Sequence, residues 1–192
     1  MTNHSTIWMA IDLMRAPSNV RLVRTTPLPK DVSNLLAIAA GDEATLGEAK
    51  RGTNLPEQSL REAAAFYIEQ ILLHPDADHY RVLGAQTDAS IAELRRNMAL
   101  LVRWLHPDHK NGSDRTVFVG RVTQAWNELK SEDRRASYNL SRRRELEKRA
   151  SKSVKRSRKP VPSPNGRATR PQKLPSGLLK RIIVSLFGER VL

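Results

Sequence analysis

The chain of 192 residues contains no cysteine at all. That absence excludes structural disulfides and thiolate metal sites, and it suits a reducing compartment. Long apolar runs are missing too: nothing approaches the roughly 18 consecutive apolar residues that a membrane-spanning helix needs. Near the start, Ile7 to Ile11 make a short apolar patch, but Asp12 interrupts it and no basic residue precedes it, so a secretory signal is not expected. Acidic residues run out in one place only. Residues 1–140 hold 17 basic and 17 acidic side chains, whereas residues 141–192 hold 16 basic and 3 acidic and account for the whole net charge of +13. The sequence thus divides into a charge-balanced globular part and a polycationic tail.

Sustained period-2 alternation is also absent after residue 31, and helical spacing takes its place. Residues 1–30 are punctuated by Pro17, Pro27 and Pro29 and hold no lasting period; an extended stretch at Val20 to Arg24 is the reading there. From Asp31, a helix N-cap candidate, Val32, Leu35, Leu36 and Ile38 form an apolar stripe that stops at Gly41. A second helical piece covers about 42–50. A longer one starts at Pro56 and carries Leu60, Ala63, Ala64, Tyr67, Ile68, Ile71 and Leu72 at helical spacing up to Leu73.

Ser90 to Leu105 is strongly amphipathic. At about 100° per residue, Leu94, Met98, Leu101 and Leu105 share a narrow arc, with Arg96 and Arg103 roughly opposite. His106-Pro107 ends this helix, because a residue before proline is driven out of the α region. A polar loop from Asp108 to Ser113 leads to a third helix, about 114–130, with Val119, Val122, Trp126 and Leu129 as core positions, and a short fourth helix starts at Glu132. The expected class is all α.

An amphipathic helix, His106-Pro107-Asp108 and a returning helix resemble the J domain of the DnaJ family. About 64 residues carry the likeness. They include Tyr80-x-Val82-Leu83-Gly84, the ladder of 94, 98, 101 and 105, the positions Val119, Val122, Ala125, Trp126 and Leu129, and Arg134-Arg135-Ala136-Ser137-Tyr138-Asn139. The resemblance implies a helical hairpin whose core takes in Tyr80, Leu83, Leu94, Met98, Leu101, Leu105, Val122, Trp126, Leu129 and Tyr138. It also implies a role: docking on a DnaK-type heat-shock chaperone and stimulation of its ATP hydrolysis. His106, Pro107 and Asp108 would form the contact loop, and Arg95, Arg96 and Arg103 would steer toward an acidic partner surface. Such a protein uses no cofactor or metal of its own and is not itself an enzyme.

A second His-Pro-Asp occurs at His74-Pro75-Asp76. It ends one helix and leads straight into Tyr80 to Gly84, so Asp76 or Asp78 is expected only to cap the next helix, and the functional role falls to 106–108. The sequence departs from the family in one respect. Where the second helix usually carries Tyr followed by a Lys/Arg pair, Met98, Ala99 and Leu100 stand, and Trp104-Leu105 stands where the family commonly has a basic residue and then an aromatic before the loop. Leu100 and Trp104 then form an apolar strip outside the hairpin core, expected to pack on the upstream helix 56–73.

The expected division is a poorly defined segment 1–30, a helical extension 31–74, a J domain 77–140, a basic disordered linker 141–176 and a short amphipathic helix 177–192. The chain lacks the Gly/Phe-rich and Cys-x-x-Cys regions of full-length relatives, which points to a small specialised cytoplasmic protein. The alternative is a degenerate J fold acting through residues 142–192 on nucleic acid or an anionic membrane surface, with the apolar face at 178–187 as a peripheral membrane contact. The client is not named by the sequence.

Overall fold

A computed structural model describes residues 6–106 and 115–157, and these contain helices, turns and no strand. The elements are α1 (Thr6–Arg15), a 3-10 turn (Pro17–Asn19), α2 (Val20–Thr25), α3 (Val32–Ala39), α4 (Glu43–Thr53) and α5 (Glu57–Tyr67), followed by a π-helical turn (Ile68–Leu72). Then come α6 (His79–Val82), α7 (Ile91–Leu105), α8 (Thr116–Leu129) and α9 (Glu132–Ser157). The all-α class is the one expected.

Residues 6–30, in which the sequence shows no lasting period, form α1, the 3-10 turn and α2, and Val20 to Arg24 is helical rather than extended. Their anchor is Asp31. Its side chain does not cap α3; its carboxylate instead accepts the Thr6 backbone N–H at 2.9 Å and the Thr6 hydroxyl. The residue expected to cap α3 thus serves the positive end of α1 instead. Ile7, Ala10, Ile11 and Leu13 are buried as α1 runs along α5. Helix α3 is the bridging element, in contact with α1, α4 and α5 on one side and α7 on the other. Its Val32, Leu35, Leu36 and Ile38 are all buried, each worth roughly 1.5–3 kcal/mol of transfer free energy.

Helix α5 does not run on as α-helix to Leu73. The Leu73 N–H bonds the Ile68 carbonyl at 2.9 Å, an i→i+5 contact that inserts a π turn. The turn re-aims its two polar residues onto different neighbours. Arg24 donates to the Gln70 carbonyl at 2.8 Å and to its side-chain oxygen at 3.1 Å, while Glu69 faces Arg115.

The hairpin of α7 and α8 sits on this layer within one compact unit, Met1–Lys148. Gly84 shows how close the seam is. Its φ is +62°, and a Cβ there would lie 3.1 Å from both Leu36 Cδ1 and Val32 Cγ1 of α3. The second unit, Arg149–Leu192, is described only over the last turns of α9. That helix is unbroken through Ser157, so the first part of the stretch expected to be a disordered linker is helical. No Gly or Pro falls between Glu132 and Ser157, and Arg143/Glu147 and Glu145/Arg149 stand at supportive i,i+4 spacing. The amphipathic segment 178–187 lies outside the described residues.

Tyr67 is fully buried, and its hydroxyl has no hydrogen-bond partner among the described residues. Burial pushes the phenol up to about 12. The titration therefore leaves stability unchanged below pH 10, where the unfolded phenol is still protonated, and lowers it as the pH rises from 10 to 12. This two-unit gap is worth roughly 3 kcal/mol. Tyr67→Phe removes both the orphaned hydroxyl and this titration. Urea denaturation should show it more stable by about 1 kcal/mol at neutral pH, with a flatter decline above pH 10.

Candidate functional site

Helix α7 presents three faces, and each has a different fate. Ser90 opens the helix by accepting the Glu93 N–H at 3.1 Å. Along the face toward α8, Leu94, Leu101 and Leu105 are buried and Met98 is half-buried. On α8, Val122, Ala125 and Leu129 are buried and Trp126 is half-buried. Val119, expected in the core, is 44% exposed. The buried arc of α8 runs through Phe118, Val122, Ala125 and Leu129, and Val119 lies to one side of it.

The second face carries Asn97, Leu100 and Trp104. Asn97 is buried, and its side-chain amide donates to the carbonyls of Leu83 at 3.0 Å and Gly84 at 3.2 Å, tying α7 to the turn after α6. Trp104 is buried beneath the Arg115 guanidinium, which stands 4.5 Å over its ring. Arg115 Nε in turn pairs with Glu69 Oε1 at 3.3 Å. The N-terminal layer meets α7 through α3 rather than through the expected helix 56–73, with Trp104 buried and Leu100 half-buried.

The third face is open. Arg95, Arg96, Ala99, Val102 and Arg103 are exposed along it, and it ends at exposed His106. His106 has an extended backbone (φ −63°, ψ 133°), the conformation proline imposes on the residue before it. Pro107 and Asp108 lie outside the described residues. Arg103 also approaches the layer: Asp42 at the start of α4 is held below the usual carboxylate range, first by the hydroxyl and N–H of Thr45 and further by Arg103.

The hairpin's base is closed by aromatic and charged contacts. The Tyr138 hydroxyl accepts the His79 N–H at 3.0 Å, and its ring lies 4.7 Å from the imidazole and 5.9 Å from Tyr80. Tyr80, buried, donates to Asn139 at 2.9 Å and accepts from Arg135 Nε at 2.9 Å. Burial lowers the His79 imidazole and raises the Tyr138 phenol from their ordinary values. Asp78 caps α6 through the Arg81 N–H at 3.0 Å and pairs with Arg142 at 2.7 Å. Asp76 caps nothing and is 92% exposed. The second His-Pro-Asp is thus a linker, and a held one: the Arg121 guanidinium of α8 donates to the carbonyls of Leu73, His74 and Pro75.

This arrangement, a short capped helix leading to a Gly turn and an antiparallel hairpin with a proline-bounded tip, coincides with a family match. The model of the DnaJ domain matches residues 78–139. The chain carries a DnaJ domain. Over 62 residues it is 34% identical to chaperone protein DnaJ of Rickettsia prowazekii and 36% identical to that of Exiguobacterium sibiricum. The similarity covers 32% of this chain and 17% of each relative, so the chain matches about a sixth of their length. No solved structure matches the chain significantly. Among the described residues no helix is long and apolar enough to cross a membrane, and no group of His, Asp or Glu has the arrangement of a metal site.

Glu69, Asn97, Arg115 and Arg121 were not legible as site residues, because their partners lie 13 to 48 residues away in sequence. For the closing contacts at the base of the domain, Tyr138→Phe leaves the His79 N–H unpaired. Urea denaturation should show a loss of about 1 kcal/mol, with the helix content unchanged by circular dichroism.

Proposed function

We propose that the protein is a J-domain co-chaperone: a regulatory binding module that docks on a DnaK-type chaperone and stimulates its ATP hydrolysis. The observation that carries this reading is the open face of α7, where Arg95, Arg96 and Arg103 lead along a rigid helix to His106 at the tip of the DnaJ domain. Cations spread along one face steer an acidic partner into register, and burial on contact strengthens the polar bonds made at the tip. Asp108 would accept from a partner arginine as a charge-assisted bond, Pro107 would fix the turn, and His106 would orient it. The bond that breaks belongs to the partner's nucleotide, so no nucleophile is asked of this chain. Its setting on this reading is the cytoplasm, where residues outside the DnaJ domain would direct it to a client or site.

A second reading rests on the cations after residue 140: an adaptor that binds nucleic acid or an anionic membrane through residues 142–192, with the J fold as scaffold. The solvent-facing Arg143, Arg144 and Arg149 of α9 favour it.

One experiment separates the two. The protein is added to a DnaK-type chaperone in single-turnover ATP hydrolysis. The wild type should raise the rate, His106→Gln should abolish the rise, and Arg96→Ala should raise the concentration needed for half the effect. A wild type inactive toward every cognate chaperone, with function in cells lost on deletion of 150–192 but kept in His106→Gln, would establish the adaptor instead.

A further inference from the structure

The hairpin tip is gripped from outside the DnaJ domain. Its two flanks are Trp104, two residues before His106, and Arg115, the first residue of the described chain beyond it. The Arg115 guanidinium bridges them, lying over the Trp104 ring at 4.5 Å while Nε reaches Glu69 Oε1 at 3.3 Å. Glu69 belongs to the π turn of the N-terminal layer, and that turn is itself fixed from two sides. Arg24 holds Gln70 by its carbonyl and its side chain, and Arg121 holds the carbonyls that follow it at Leu73, His74 and Pro75.

The Arg115 side chain is only 10% exposed and that of Glu69 31%. An ion pair so covered is little screened by salt, and a cation stripped of its partner there would have to move to find water. Moving Arg115 uncovers Trp104 and shifts the start of α8 relative to the end of α7. We propose that Glu69 is a positioning residue for the partner-contacting tip: it holds Arg115 on Trp104, and the N-terminal layer thereby sets the geometry in which His106 is presented. This rests on the co-chaperone reading and adds to it a control point nine residues before the domain's own boundary at residue 78. It also accounts for Trp104 replacing a cation on α7. The position is an anchor for the layer rather than part of the docking face.

The test uses the full chain and two readouts. In single-turnover ATP hydrolysis with a DnaK-type chaperone, Glu69→Gln should lower the maximal stimulated rate about fivefold, the low end of coupling between sites, while the half-saturating concentration stays unchanged. Glu69→Asp should recover most of the loss, which a general packing defect would not allow. Arg96→Ala should show the opposite split. In a Trp8→Phe/Trp126→Phe background, Trp104 emission should move to the red in Glu69→Gln and return in Glu69→Asp, with no chaperone present. Wild-type stimulation with an unchanged maximal rate in Glu69→Gln overturns the inference alone. A wild type that stimulates nothing overturns the co-chaperone reading and takes this inference with it.

Discussion

A two-helix hairpin of this length cannot bury α7 by itself. Its partner α8 covers the ladder Leu94, Met98, Leu101 and Leu105, but Asn97, Leu100 and Trp104 project to a second side that needs another surface. The N-terminal layer supplies it through α3, and the constraint propagates from that one seam. Gly84 must be glycine-like because α3 approaches so closely. Asn97 must be polar because the turn it meets presents two carbonyls. Cations common elsewhere in the family on this helix have no place where Leu100 and Trp104 are covered.

The two His-Pro-Asp tripeptides show how context decides the role of identical residues. At the first, the carbonyls of Leu73, His74 and Pro75 are held by Arg121, and the exposed aspartate lies 3.7 Å from the His74 imidazole. At 106 the histidine follows a long helix whose open face is lined by arginines. The same three residues are a held linker in one place and follow the end of a long helix in the other. Separation by a single supersecondary unit is enough to make the difference.

Much of this was legible in the sequence. The limits of α7 and α8, the break before Pro107 and the burial of Leu94, Leu101, Val122 and Leu129 follow from periodicity and proline sterics. The covering of Leu100 and Trp104 followed from the cost of exposing them. Other features were not legible because they depend on distant partners. Helix α1 is too short to announce itself between breakers, and it is held by Asp31, 25 residues on. Val20 to Arg24 is helical despite its β-branched residues since Arg24 is tied to Gln70. Val119 lies to one side of the arc Phe118, Val122, Ala125 and Leu129 that faces the core. The helix at 141–157 was hidden by charge, which argues against a packed core yet not against a solvated helix.

The π turn at Ile68–Leu72 has a consequence for how this chain can change over generations. One extra residue in a helical turn rotates everything before it by about 100° relative to everything after it. Glu69 and Gln70 reach opposite neighbours only in that register. Loss or gain of one residue anywhere between α5 and His74 would misdirect both at once, however conservative the composition. Length is thus a heritable property this segment has to keep beside the identities of Glu69 and Gln70.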